Sequence, residues 1–372
     1  MSRVLATVLC LAGAAVAMAE FTITFPSGAP VVVSSDAVPS YGRRGDPGNT
    51  SFVWSDYTGP ATWIEDVLIS GTVHQTPEGL PTSNSLDEAR VTIGASITLD
   101  EAMTSLDYNY QTQTDTYVDT PNSFDYAFVL DPNIVFTFTF HEQGSGTQND
   151  QVVGGDDNIH DDINITFVEA VPTYAGTLAG APTWYRAREM SALYDPNGVC
   201  DPWSQLVHYH AQEFIVSEDG VYELKTSHHN WNVSSFLHLY EYSFNPEDQC
   251  TNIIQSKWTD QWGARLYDVS LVAGRHYFLV LSEFEPTAHS GDFIAEINGP
   301  GEVRVIGPCV GDIDGDGQTD LSDLAALLGS YGKCPGEPGY NPFCNTYEAD
   351  PPDGCVGLND LATLLGDYGC GN

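Results

Sequence analysis

Asp312, Asp314, Asp316, Asp320 and Asp323 fall at positions 1, 3, 5, 9 and 12 of a twelve-residue stretch that opens Asp312-Ile313-Asp314-Gly315-Asp316-Gly317. Carboxylates at this spacing on one tight loop present hard oxygens to a single cation. Calcium takes six to eight such oxygens at roughly 2.3–2.6 Å. Gly317, at position 6, can adopt the left-handed backbone of a sharp turn. The backbone carbonyl of Gln318, at position 7, adds a further oxygen, and Asp323 takes the place of the usual glutamate at position 12. A solvated acidic turn would not need this register. The expected strong calcium loop is therefore Asp312, Asp314, Asp316, Gln318, Asp320 and Asp323.

Other clusters carry less. His208 and His210 stand two apart on an expected strand and so share one face, and with His228, His229 and His238 they could bind a transition metal, although polar strand faces account for them better. Asp156, Asp157, His160, Asp161 and Asp162 form a second acidic cluster, a weaker candidate for calcium. There is no Gly-x-Ser-x-Gly elbow, His-Glu-x-x-His helix or phosphate-binding Walker loop, so no catalytic residue is assigned. Paired carboxylates for glycoside hydrolysis cannot be read from spacing in so acidic a chain, because the fold sets their separation.

The calcium loop has an unusual setting. Ile306-Gly307-Pro308-Cys309-Val310-Gly311 cannot make an entering helix, so only the exit helix is expected. Leu321, Leu324, Ala325, Leu327, Leu328 and Tyr331 form its apolar stripe, and Gly329 and Gly332 end it. The stretch from Gly317 to Gly332 recurs from Gly354 to Gly369, an internal duplication. The second copy has decayed: its loop register puts Ala349, Pro351 and Gly357 at positions 1, 3 and 9. Only Asp353 and Asp360 keep ligand positions, with Glu348 and Asp350 as nearby substitutes, so one good site and one weak or empty one are expected. Two loop–helix units joined by a linker resemble the type I dockerin, and Gly339-Tyr340-Asn341-Pro342 resembles the linker of planctomycete exported proteins. The resemblance covers Cys309 to Cys370. It implies Ca2+ as cofactor and docking to a cohesin-like, envelope or matrix protein through loop positions 10 and 11, here Leu321-Ser322 and Leu358-Asn359.

Elements further upstream must carry this module. Met1-Ser2-Arg3 precedes an apolar run from Val4 to Val16 and the small-x-small pattern Ala17-Met18-Ala19, which reads as a signal peptide over residues 1–19 and an exported, secreted or cell-surface product. No other run approaches the roughly 20 apolar residues of a membrane helix. The net charge is −39, with 51 acidic against 12 basic residues, so nucleic acid and anionic membrane surfaces are unfavourable partners. With 42% hydrophobic and 11% aromatic residues, the chain can still build packed cores. Cys200 and Cys250 are expected to bridge each other. Cys309, Cys334, Cys344, Cys355 and Cys370 cluster in the last module, an odd set whose pairing spacing does not decide. No Cys-x-x-Cys pair and no histidine among them points to zinc.

Period-two runs separated by Gly, Pro, Asn and Asp turns make the fold mostly β. Examples are Phe21 to Phe25, Val91 to Leu99 and Ile134 to Phe140. Two antiparallel β-sandwich domains, 20–170 and 171–303, are expected, then a linker over 304–308 and a small helical calcium module over 309–372. In the second domain, Gly220-Val221-Tyr222-Glu223-Leu224, Phe236-Leu237-His238-Leu239-Tyr240, Thr251-Asn252-Ile253-Ile254 and Val272 to Val280 occur in order, with Gly291-Asp292-Phe293 after them. The succession resembles the bacterial pre-peptidase C-terminal domain, a small β-sandwich without catalytic residues. Together these features favour a non-catalytic exported protein that docks through calcium. The alternative is a carbohydrate-binding protein, using tryptophans such as Trp54, Trp63, Trp184, Trp203, Trp231, Trp258 or Trp262, or a small glycoside hydrolase of an extracellular polysaccharide-degrading system.

Overall fold

The computed structural model describes residues 21–371 except 27–29, 36–37, 41–50, 56, 76–88, 98–103, 109–115, 133, 143–157, 189–199, 201, 230–233, 260–262, 287–290 and 348–353. The expected signal segment lies outside the described residues. The chain is mostly β, and its two α-helices, among the described residues, come late. Its contacts divide it into two compact units, one of residues 1–124 and 130–169, the other of 125–129 and 170–372.

The first unit carries β1 (Phe21–Thr24), β2 (Val31–Ser34), β3 (Val38–Ser40), β4 (Ser51–Trp54), β5 (Thr62–Gln75), β6 (Ala89–Ile97), β7 (Thr104–Tyr108), most of β8 (Thr116–Leu130), β9 (Ile134–Glu142) and β10 (Asn158–Glu169). One sheet runs β2-β1-β10-β5-β8, with β3 also on β10; the other runs β4-β9-β6-β7. Period-two alternation places Ile134, Phe136, Phe138 and Phe140 of β9 on one buried face. Phe21 meets Phe138 and Phe140 edge-on at 5.5 and 5.6 Å, so the core is aromatic. The pairing is not wholly antiparallel as expected. β1 and β10 run parallel, with Phe21 opposite Ile163, which is possible because the intervening strands supply the long crossover that a parallel pair needs.

The second unit carries β11 (Tyr174–Thr177), β12 (Thr183–Ala187), β13 (Pro202–Val216), β14 (Gly220–His228), β15 (Ser235–Glu241), β16 (Ile253–Thr259), β17 (Gly263–Leu271), β18 (His276–Glu283), β19 (Asp292–Asn298) and β20 (Val303–Val305). One sheet has the order β11-β19-β14-β17 and another β12-β13-β18-β15-β16, with β20 on β13. Both contribute to one core, including Phe214, Leu239, Leu279 and Leu281 from one sheet and Leu224, Leu266, Phe293 and Ala295 from the other. Burying such side chains contributes roughly 1.5–3 kcal/mol each. Cys200 and Cys250 are bonded, as their isolation in the sequence implied.

The segment 304–308 is not simply a linker. Arg304 and Val305 belong to β20, paired to Ile215 and Phe214, and the Ile306 N–H donates to the Glu213 carbonyl at 2.9 Å. The chain therefore leaves the sheet only after Ile306. It continues into α1 (Leu321–Ser330), a 3-10 turn (Pro342–Cys344) and α2 (Leu358–Asp367). Ile313, Leu327, Cys344, Val356 and Leu364 form a small core between the helices. Cys309–Cys370 and Cys334–Cys355 are bonded, which leaves Cys344 free and buried.

Candidate metal centre

The loop from Asp312 closes on itself through its own carboxylates. Asp312 Oδ1 accepts from the Gly315 N–H at 2.7 Å, and Asp312 Oδ2 from the Gly317 N–H at 2.9 Å. Gly315 and Gly317 both hold left-handed backbone, at φ 81° and 87°, where a side chain would add strain. Asp323, fully buried, ties the loop to α1: its Oδ1 accepts from Ile313 N–H (2.7 Å) and Asp314 N–H (3.1 Å), its Oδ2 from Asp320 N–H (2.8 Å).

Carboxylate oxygens of Asp312, Asp314 and Asp323 lie within 4.8 Å of one another. Oxygens on opposite sides of one calcium-sized ion are separated by about twice the ligand distance, roughly 5 Å, so the three can share one coordination sphere. Desolvation, then the carboxylates of Asp323 and Asp316, hold the Asp314 carboxyl above its ordinary value. A cation would relieve that repulsion. The donors are all hard oxygens, and on geometry and chemistry the residues fit a hard divalent ion.

Asp316 and Asp320 stand outside that group of three. Asp316 Oδ1 accepts from the Gln318 N–H at 2.9 Å. Asp320 is the N-cap of α1: its Oδ1 accepts from the Ser322 N–H at 2.7 Å, in a reciprocal box with Asp323. Of the second loop, Asp353 lies outside the described residues. Asp360 is almost fully buried and accepts from Tyr347 N–H at 2.9 Å and Gly357 N–H at 2.7 Å. Burial, opposed by these bonds, raises its carboxyl above the ordinary value. Gly357 starts α2 without a side-chain cap, so only half the box survives there.

The duplication extends to the backbone. Thr319 N–H donates to Cys370 O and Gly369 N–H to Thr319 O; in the other copy Val356 N–H donates to Lys333 O and Gly332 N–H to Val356 O. One residue that sequence reasoning missed belongs to this framework. Asp367 Oδ2 accepts from Gly311 N–H at 2.8 Å and Thr319 Oγ1 at 2.7 Å, tying the first loop to the end of α2. A carboxylate in the last turn opposes the helix dipole, and that misfit was the available signal.

The expected apolar stripe of α1 divides. Leu324 and Leu327 pack inward, whereas Ala325 is exposed and Leu321, Leu328 and Tyr331 are 67%, 55% and 43% exposed. The equivalent Leu358, Leu365 and Tyr368 of α2 are 70%, 53% and 50% exposed. The stripe was too wide for a two-helix core, which takes only the residues facing the partner helix.

The histidines do not converge. Among the described residues, no group of three or more His, Cys, Asp or Glu ligands includes a histidine. His208 Nδ1 meets Glu283 Oε2 at 3.0 Å, and His238 lies between Ser256 (2.9 Å) and Ser282 (3.3 Å). His210 and His228 pack against Phe293. Asp156 and Asp157 lie outside the described residues, and His160, Asp161 and Asp162 sit on β10. Trp54 and Trp184 are buried, Trp63, Trp203 and Trp258 are partly buried, and Trp231 and Trp262 lie outside the described residues. Arg186 is held between the rings of Trp203 and Phe236, at 3.8 and 3.6 Å. Among the described residues no helix is long and apolar enough to cross a membrane.

No family model matches the chain, and no curated protein matches it. One solved structure, that of infectious bursal disease virus Gx strain, is similar at 8% identity over 70% of this chain and 67% of that chain, with a TM-score of 0.15. Likeness at that level carries no argument about fold or function.

Proposed function

We propose that this is an exported, non-catalytic protein that attaches to an extracellular scaffold, matrix or cell envelope through a calcium-dependent, dockerin-like module, and that its β-sandwich domains, the second of pre-peptidase C-terminal type, are what it presents. The observation that carries the reading is the repeated exposed face. Leu321 and Leu328 on α1 with Tyr331 at its C-cap, and Leu358 and Leu365 on α2 with Tyr368 at its C-cap, leave the same apolar positions open on both copies. Leu321 and Leu358 are the residues at loop position 10 that the resemblance marks for docking. Single exposed leucines need no explanation, but a set repeated after 37 residues in sequence is a patterned surface. Three disulfides suit an oxidising compartment, which agrees with export.

In this reading Asp312, Asp314 and Asp323 hold Ca2+, with Asp316, the Gln318 carbonyl and Asp320 completing the shell directly or through water. The bound ion would supply the positive charge that fixes the loop, and so the start of α1, in one conformation. Calorimetry on the full chain should find one dominant calcium-binding event; two comparable events, or none, would refute the assignment. Capture from the native exoproteome should depend on calcium and be lost in a Leu321→Asp/Leu358→Asp variant that still binds the ion. Capture indifferent to both chelator and variant would remove the docking role.

A further inference from the structure

We propose that His276 is a protonated clasp that fixes the C-terminal helical segment onto the sheets of its own unit, and that loss of its proton at alkaline pH releases that segment. The inference does not depend on the calcium assignment. His276 opens β18 and is 6% exposed. Its Nδ1 meets Glu213 Oε1 of β13 at 2.5 Å, and its Nε2 meets the backbone carbonyl oxygen of Asn345, just past the 3-10 turn, at 2.7 Å. A carbonyl oxygen only accepts, and so does an ionised carboxylate. A neutral imidazole carries one N–H and cannot donate to both.

The arrangement therefore holds one proton more than a neutral histidine beside an ionised glutamate. Nε2–H donates to Asn345 and Nδ1–H to Glu213, so the ring carries both protons. Remove one proton and the N–H that remains goes to Nδ1, because the ionised Glu213 on the neighbouring strand is the stronger acceptor; the Nε2 lone pair then faces the Asn345 oxygen, and the bond from His276 to the C-terminal segment is lost.

The junction is built closely around this ring. Asn345 is fully buried and its Nδ2 donates to the Gly274 carbonyl at 2.8 Å, two residues before His276. Gly274 has φ 75°, and a Cβ there would run into the Tyr340 hydroxyl, so the close approach of Tyr340 and Pro342 needs glycine. Glu213 on β13 bonds the ring directly, and Arg304 on β20 and Cys344 on the turn are the charged and titratable groups whose interactions reach it through Glu213. Arg304 stands 5.2 Å from the Phe343 ring, and its charge interacts with Glu213, Cys344, Asp312 and Asp323. On its own strand and beside it, Arg275 is turned to Glu241 at 3.0 Å, and the Tyr277 hydroxyl accepts from Val272 N–H at 2.9 Å.

The sign follows from linkage. The clasped state keeps a proton that a released histidine gives up near pH 6.5. Clasping is therefore fully favoured below about pH 6.5. Above that value it loses about tenfold in population ratio per pH unit until the clasped proton itself dissociates.

The full chain, labelled with 15N-histidine, tests this directly. Long-range 1H–15N spectra at pH 8 should show His276 with both ring nitrogens in the protonated pattern, or with Nδ1 in a proton shared with Glu213. A neutral single-tautomer ring with a bare nitrogen at pH 7 would overturn the proposal. Amide-exchange protection over residues 340–347, corrected for intrinsic rates, should fall about tenfold per unit through the alkaline range in the natural chain. It should show no such slope in His276→Gln or in Glu213→Gln, two variants that remove the shared proton from opposite sides. A slope unchanged in both variants, or absent from the natural chain, would assign the junction to packing alone.

Discussion

Asp323 and Asp360 occupy the same place in the two copies, and replacing each by asparagine separates structure from ion binding. Each carboxylate is buried and receives backbone N–H groups on both oxygens: Ile313 and Asp314 on one oxygen of Asp323 and Asp320 on the other, Tyr347 and Gly357 on the two oxygens of Asp360. Asparagine keeps one acceptor and turns an amide donor toward the other N–H. Each variant therefore loses one charge-assisted bond and leaves one donor unpaired, at a cost of about 1.5–3 kcal/mol in the absence of calcium. The match ends when the ion is added. Asp323 shares a cluster with Asp312 and Asp314, and Asp360 belongs to no such cluster among the described residues. Asp323→Asn should weaken calcium binding by tenfold or more, shrinking the stabilisation by saturating calcium by about 1.4 kcal/mol or more. Asp360→Asn should leave the affinity within about threefold. Urea denaturation with chelator and with calcium, beside calorimetry, reads both quantities. Equal loss of calcium binding in the two variants, or intact binding in Asp323→Asn, would refute the assignment of the ion to the first loop.

Acid should destabilise the second unit through its buried imidazoles. Burial pushes His228 down to about 4 and His238 well below its ordinary value. The unfolded chain therefore binds protons that the folded one refuses, and stability falls as pH drops from about 6.5 toward 4, by about 3 kcal/mol for His228 alone. Denaturation at pH 7 and pH 4.5 should show the fall, and His228→Leu should flatten it; an unchanged slope in that variant would put the acid sensitivity elsewhere. Converting Cys334 and Cys355 to serine opens a bridge spanning 21 residues and should cost about 3 kcal/mol while leaving the calcium-binding event in place. Loss of calcium binding in that variant would mean that the two loops are not closed independently.

Legibility in the sequence followed the range of the physics involved. Period-two alternation depends only on neighbouring residues, so strands such as β9 and β14 were readable before their partners were known. The register of acids from Asp312 to Asp323 is equally local, and it located a carboxylate cluster that could hold a hard cation. Which residues stand opposite one another was not readable. The parallel β1–β10 pair joins residues about 140 apart, and Asp367 reaches Gly311 across 56. The His276–Glu213–Asn345 junction was invisible for the same reason. Each member is an ordinary polar residue on its own element, and only folding sets two acceptors on the two sides of one ring. Asp320 shows a different limit: one carboxylate can be a ligand position and an N-cap at once, and spacing alone does not rank the two.

Both copies lead into a ten-residue helix whose first turn carries a buried carboxylate, Asp323 or Asp360. In the first copy the loop carries its own acids. They repel one another, a repulsion the proposed cation would relieve, and Cys309–Cys370 and Asp367 tether the module's two ends. In the second copy most acids are gone, and Cys355, next to the backbone bridge of Val356, is bonded to Cys334 beyond the end of α1. A covalent bridge therefore stands beside the start of α2 in this copy. The exposed leucines and tyrosines are nevertheless retained on both helices. On the proposed reading, a second copy that lacks most loop acids yet keeps its exposed apolar face is what a role for a two-helix surface would require. In the proposed reading, calcium conditions one half of that surface, and the other half does not depend on the ion.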